Sequence, residues 1–199
     1  MTTDNNSKLS QFAEFFTIEY PFNVNVAELD ISQTKDYQTF LNTMPMPFKM
    51  ASDMVTLDQA ALGPLQTLGS VAGQLVEYLH HQSEKIDLLV SYILNQEDDS
   101  ATRQQGISFG GGGITFVSEI NHQINERVEI KIFLNSENYA IYCFAEIIDI
   151  LACDDKFLYK AIYHFIRDED REILVRTSLH LQSKQLQQLA KERNKLAKD

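Results

Sequence analysis

The chain has 199 residues, of which 44% are hydrophobic and 23% charged, and this composition indicates a folded globular protein. Its formal net charge of −11 argues against nucleic acid or an anionic membrane surface as a partner, because either would require a positive face. The N-terminal region lacks the pattern of a secretion signal, and no run of about 18 uncharged apolar residues occurs, so we expect a cytoplasmic protein without membrane insertion.

Residues 1–56 form the first predicted segment, and its clearest feature is the aromatic and β-branched stretch 12–26. Pro21 lies near the middle of this stretch, which favours an extended edge strand, because proline cannot donate a hydrogen bond to a central ladder. The polar residues 1–10 predict a disordered start. The pattern leaves open whether 12–26 completes a barrel or packs on the helices.

Residues 57–97 are predicted to form a long helix that associates with other helices. Apolar residues alternate at spacings of three and four over about four heptads, and Gln82 is the polar residue among them. The seam consists of Leu65, Leu68, Ala72, Leu75, Leu79, Gln82, Ile86, Leu89 and Ile93. Apolar residues such as Val90 and Leu94 lie off this seam, so we expect one stripe to face partner helices and another the parent domain. Ordinary packing within one chain is the alternative for these side chains.

Residues 101–167 change to a two-residue period typical of β-strands. The stretches rich in β-branched and aromatic residues are 114–117, 128–134, 139–150 and 157–166. Residues 168–199 are helical again, with acids in the first turn and bases near the end, as the helix dipole favours. The predicted fold class is therefore α+β: a small antiparallel β-barrel with a long helix before it and a C-terminal helix after it.

A run of four glycines, Gly110 to Gly113, lies between Ser108 and the strand that starts at Ile114. Glycine loops of this kind permit close backbone approach and can cradle phosphates. No Gly-Lys-Ser/Thr follows the run and no strand–turn–helix unit surrounds it, so the P-loop and Rossmann interpretations fail. A flexible turn or bulge is the better interpretation on chemistry alone.

The glycine run, the strand Gly-Gly-Ile-Thr-Phe at 112–116 and the segment 165–174 before the last helix resemble a PilZ domain, the cyclic di-GMP receptor module of bacteria. The order of elements matches from about residue 100 to the end. The heptad helix before the run resembles that of an atypical, tetramer-type PilZ subclass, in which such a helix assembles subunits. With that helix the resemblance covers roughly residues 60–199.

The resemblance implies a nucleotide motif that this sequence carries only in part. Standard PilZ domains hold the ligand with Arg-x-x-x-Arg and Asp/Asn-x-Ser-x-x-Gly, because guanidinium groups fork onto phosphate or guanine acceptors. Here Arg103 stands without a second arginine at that spacing, and either alignment of the glycine run leaves the second motif incomplete. The candidate ligand-binding residues are Arg103, Ser108, Gly110, Gly111 and Gly113.

The sequence favours a non-enzymatic role. His80 and His81 are adjacent on a helix and point in different directions, and the two cysteines, Cys143 and Cys153, cannot make a zinc site alone. We expect no metal, no catalytic residue and no cofactor, with cyclic di-GMP as a regulatory ligand at most. The resemblance implies an adaptor that associates with itself and with a protein of a motility, attachment or virulence pathway. A cyclic di-GMP receptor with a divergent site is the alternative, and a purely structural scaffold a third.

Overall fold

A closed antiparallel β-barrel forms the centre of the molecule, which we describe from a computed structural model covering residues 2–29, 36–54, 73–134, 139–153 and 156–196. Its strands are β1 (Thr17–Glu28), β2 (Arg103–Gly110), β3 (Gly113–Ser118), β4 (Arg127–Leu134), β5 (Tyr139–Cys153) and β6 (Lys156–Phe165). The order around the barrel is β1-β2-β3-β6-β5-β4, and β1 closes it by pairing with β4. The predicted α+β class with helices before and after a small barrel is confirmed.

The first strand differs from its prediction in two ways. β1 begins at Thr17 rather than at residue 12, and it is not an edge strand, because it pairs with both β2 and β4. Pro21 is accommodated where the register between β1 and β2 shifts, between Glu19 and Phe22. A proline without an N–H group fits such an irregularity, since the regular ladder is interrupted there.

The barrel interior is filled by the inward-facing members of the alternating strands. Val128, Ile130 and Ile132 of β4 are fully buried while the residues between them are partly exposed, as a strand with one wet face requires. The same core extends to the last helix through Leu174 and Leu181. This helix, α5, spans Asp168–Leu196, and acidic residues occupy its first turn.

The N-terminal residues predicted to be disordered are helical, so that prediction is wrong. Helix α1 covers Thr2–Ala13. Lys8 ties it to β5, because its Nζ lies 2.7 Å from Glu146 Oε1. An ion pair and aromatic side chains that pack on the barrel therefore order a segment whose own polarity predicts no structure.

A second hydrophobic core lies outside the barrel, between helices and the outer face of β4 and β5. Helix α2 (Tyr37–Thr43) begins at Asp36, whose carboxylate accepts a hydrogen bond from the Thr39 amide, and α3 covers residues 46–54. Members of this core include Phe40, Met44, Phe48, Leu94, Phe133, Tyr142 and Phe144.

The helix that carries the predicted seam, α4, is described from Gly73 to Gln96. Leu65, Leu68 and Ala72 lie outside the described residues. Among the helices that the structure describes, none is long and apolar enough to span a membrane.

Candidate functional site

The glycine run forms a tight, buried hairpin between β2 and β3. Gly110 ends β2 and Gly113 begins β3. A Cβ atom at Gly110 would lie 2.2 Å from the Phe16 carbonyl oxygen, and one at Gly113 would lie 2.1 Å from the Ala161 carbonyl oxygen. No described glycine has a positive φ. Close approach of neighbouring backbone, not an unusual backbone conformation, is thus what requires glycine here.

Aromatic residues from the N-terminal segment cover this hairpin. A Cβ atom at Gly111 would meet the Phe15 ring at 2.5 Å, and one at Gly112 would meet the Phe12 carbonyl oxygen at 2.9 Å. Arg171 of α5 donates to the Gly111 carbonyl at 2.9 Å, and its guanidinium lies 5.7 Å from the centre of the Phe15 ring. Protein atoms therefore occupy the space that an open phosphate cradle would need.

Arg103 lies at the opposite end of β2 from the glycine hairpin. Gly110 is seven residue steps along the strand from Arg103, which corresponds to about 23 Å. Its Nε donates to Asp98 Oδ1 at 2.9 Å, and an Nη donates to the Asp98 carbonyl at 3.2 Å. Ser108, near the hairpin, is buried. The structure consequently does not bring Arg103 together with Ser108, Gly110, Gly111 and Gly113.

An open groove of about 800 Å³ surrounds Arg103 on the outer face of the barrel. It lies where β1 is irregular, and its lining includes Pro21, Asn23, Gln105 and Lys156. The Lys156 ammonium is 3.1 Å from Glu119 Oε1. Arg103 and Lys156, the two cations that line the groove, are thus each paired with a carboxylate. The rest of the lining includes amide and aromatic side chains, and the groove therefore has little net positive charge.

Helix α4 exposes most of its predicted seam to solvent. Leu75, Leu79, Ile86, Leu89 and Ile93 are between 41% and 65% exposed. Gln82 among them is half-buried. Large apolar side chains on one stripe of a helix rarely remain in water, so this stripe is a candidate contact surface.

A different stripe of α4 holds the helix to its own chain. Leu94 is buried in the second core and Val90 packs against it. At 100° per residue, these two positions lie roughly 90° around the helix from the middle of the seam. The two stripes are therefore separate, and packing on the parent domain leaves the seam uncovered.

Other polar clusters in the described part of the chain are structural or exposed. His122 is buried beside Glu126, with Nδ1 2.7 Å from the carboxylate, and the Tyr159 hydroxyl accepts from the His122 amide. His81 on α4 lies 3.1 Å from Glu84, and the hydrogen bond from His81 lowers the pKa of that carboxyl. Across the described residues, no group of three or more His, Cys, Asp or Glu side chains is placed to hold a metal ion.

Comparisons with known proteins connect this arrangement to one fold. No family model and no curated protein matches the chain. A tetrameric PilZ domain from Xanthomonas campestris, described as a pathogenic protein self-assembled through an unusual helical bundle, matches with a TM-score of 0.58 at 12% identity. The match covers 89% of this chain and 96% of the other. The chain therefore has a PilZ fold, as the sequence resemblance predicted.

Two partial matches accompany this one. The Bacillus subtilis inhibitor of motility MotI/DgrA matches with 22% identity and a TM-score of 0.39, over 41% of this chain and 42% of the other. MrkH of K. pneumonia matches with 11% identity and a TM-score of 0.39, over 45% and 44%. The chain thus spans less than half the length of these two proteins.

Proposed function

We propose that this chain is a non-enzymatic PilZ-type adaptor of bacterial cyclic di-GMP signalling, which acts in the cytoplasm by self-assembly and by contact with a protein of a motility, attachment or virulence machine. The observation that carries this proposal is the exposed apolar surface of α4. That surface comprises Leu75, Tyr78, Leu79, Ile86, Leu88, Leu89, Tyr92 and Ile93.

The width of this surface favours an assembly of more than two helices. Its residues cover an arc of roughly 180° around α4, whereas a two-stranded coiled coil uses a narrow a/d stripe. Fully burying one leucine side chain contributes about 1.5–3 kcal/mol, so several of them outweigh the entropy lost on association. The Xanthomonas protein, described as a tetramer held by a helical bundle, supports the proposal through its fold.

The self-assembly is tested by charging the seam. We expect Leu79→Asp and Ile86→Asp each to reduce the mass measured by light scattering, because an aspartate cannot be buried in an apolar seam without partners. Gln38→Asp, at an exposed position on α2 away from α4, should leave the mass unchanged. An unchanged mass for Leu79→Asp, with retained circular dichroism, would refute the assembly.

The contacts around the candidate nucleotide motif support an adaptor rather than a tight receptor. The glycine hairpin packs against Phe12 and Phe15, and the Arg103 guanidinium is engaged by Asp98. A ligand phosphate would have to replace these contacts before gaining its own, and charge-assisted hydrogen bonds contribute only about 1.5–3 kcal/mol each.

A cyclic di-GMP receptor with a divergent site is the second candidate, and the groove beside Arg103 favours it. The Arg103 side chain is exposed at the edge of that groove, within reach of a bound ligand. Calorimetric titration of the full chain with cyclic di-GMP separates the candidates. Micromolar binding that is lost in Arg103→Ala but kept in Arg176→Ala, an exposed arginine on α5, would establish the receptor. No heat and no thermal shift would support the adaptor.

A further inference from the structure

The exposed apolar arc of α4 contains three residues that the heptad seam does not use, Tyr78, Leu88 and Tyr92. Leu88 and Tyr92 are 70% and 66% exposed, more than any seam position described. At 100° per residue they lie about 90–130° from the middle of the seam, on the side away from Val90 and Leu94. A bundle built on the seam alone would leave the side chains of Leu88 and Tyr92 in water.

An acidic residue extends this pair into one column. Glu84 is four residues before Leu88, which is four before Tyr92, so the three side chains lie one above another. The described helix is acidic as a whole, since Glu77, Glu84 and Asp87 outnumber Lys85 and give a net charge of 3 − 1 = 2 negative charges.

The end of α5 presents a second uncovered surface. Gln185 makes the last hydrogen bond to the barrel, donating to the Glu19 carbonyl at 3.1 Å. Beyond it, Leu186 and Leu189 are 60% and 51% exposed, and Arg193 follows on the same stripe. Over residues 183–193, Lys184, Lys191 and Arg193 against Glu192 give a net charge of 3 − 1 = 2 positive charges.

We propose that the end of α5 in one copy packs antiparallel on the outer column of α4 in a neighbouring copy. In this register Arg193 meets Glu84, Leu189 meets Leu88 and Leu186 meets Tyr92. Along α4 the charged residue comes first and two apolar residues follow, whereas along α5 two apolar residues come first and the charged residue follows. Because the steps on each helix are three or four residues, an antiparallel arrangement lets all three pairs form together. This inference rests on the proposed self-assembly, which brings the two copies together along the seam.

Charge favours a second copy of this chain over the other occupants of the α5 stripe. Two α5 ends carry the same sign and repel each other. The chain is net −11, so the part outside residues 183–193 carries −13, which opposes approach to anionic lipid. In the outer column of α4, Leu88 and Tyr92 supply the apolar contact, and the Glu84 carboxylate supplies the charge complementary to Arg193.

A charge swap in the full chain tests this contact. Glu84→Arg and Arg193→Glu are each expected to raise the concentration at which the assembly dissociates in sedimentation about three- to tenfold, and the double variant to return it to within about twofold of the parent. Lys191→Glu makes the same charge change off the stripe and should have the smaller effect. If the dissociation concentration of the double variant is instead raised by the product of the two single effects, the contact is overturned.

Two further measurements separate this contact from its alternatives. If Leu79→Asp lowers the mass while the charge swap restores nothing, the assembly stands and the α5 contact falls; if Leu79→Asp leaves the mass unchanged, the assembly itself falls. Co-sedimentation with phosphatidylglycerol vesicles that is lost in Arg193→Glu would assign the stripe to a membrane surface and overturn the contact. We expect no vesicle binding by the parent chain.

Discussion

At the scale of single residues, the glycine hairpin lets three segments meet at one end of the barrel. Gly110 accommodates the backbone at Phe16, Gly113 accommodates the backbone of β6 at Ala161, and Gly111 accepts a hydrogen bond from Arg171. The first two contacts depend on the absence of a Cβ atom, and the third depends on a backbone carbonyl that is accessible to the Arg171 side chain. The run therefore acts as a packing element for the N-terminal segment and α5.

Replacing one of these glycines should cost more stability than replacing a glycine in open space. Gly113→Ala is expected to lower the free energy of unfolding by about 1–3 kcal/mol, because its Cβ would meet the fixed Ala161 carbonyl oxygen. Gly73→Ala, with nothing within 4 Å of its Cβ, should change it by at most about 1 kcal/mol, towards greater stability. Urea unfolding at one protein concentration measures both, and equal losses would contradict the packing role.

Arg103 shows why residues that are close in sequence, and so suggest one site, can lie far apart in the structure. The sequence places it seven residues before Gly110, close enough to suggest one site. An extended strand turns this short interval into its full length, about 23 Å. Asp98 then engages the Arg103 guanidinium at the other end.

At the scale of elements, α5 is joined to α3 by hydrogen bonds to a buried ion pair at the start of α5. Arg167, just before α5, donates to Asp170 at 3.0 Å and to the Phe48 carbonyl at 3.3 Å, and Ser52 donates to Asp170. Burial raises the pKa of Asp170 although Arg167 and Ser52 both act to lower it. The junction fixes the second core against the barrel.

The contribution of Asp170 to the free energy of unfolding decreases as pH rises. Because the pKa of Asp170 is raised above 3.8, the folded chain binds this proton more tightly than the unfolded chain does. Its contribution to the free energy of unfolding is full at acid pH and decreases as pH rises above that value. We expect the parent to lose stability relative to Asp170→Asn as the pH of the urea unfolding experiment rises from about 4.

The matched control for this experiment is Asp53→Asn. Asp53 also lies near Arg167, at 3.4 Å, but its side chain is exposed. Because this side chain is in water, its replacement should alter the pH dependence of stability less than the replacement of the buried Asp170 does. A constant difference between the parent and Asp170→Asn over the same range would contradict the assignment to Asp170.

At the scale of the whole molecule, the barrel closes through a strand that is distant in sequence. β1 pairs with β2, although the helices α2, α3 and α4 lie between them in the chain. The inserted helices pack outside β4 and β5, and α4 directs its seam away from the barrel. Barrel closure and assembly surface thus occupy different faces of one molecule.

The position of β1 in the closed barrel makes its core residues costly to truncate. Val24→Ala is expected to lower the free energy of unfolding by about 2 kcal/mol, since the side chain is fully buried between the sheet faces. The same change at Val117 of β3, which is half-buried, should cost less than about 1 kcal/mol. Thermal or urea unfolding compares them, and a harmless Val24→Ala would mean that β1 is not a full member of the barrel.

The sequence by itself determined that β3 to β6 are strands and that α4 and α5 are helices, because period and residue type are local properties. The alternation in 128–134 and the heptads ending at Ile93 each identify the apolar face of an element, but not the segment that packs against that face. Only the tertiary structure decided that β1 closes the barrel, that Phe12 and Phe15 cover the glycine hairpin, and that α4 leaves its seam exposed. These outcomes depend on contacts between residues far apart in the chain, up to about a hundred positions, and the local pattern of one segment does not indicate which other segment it contacts.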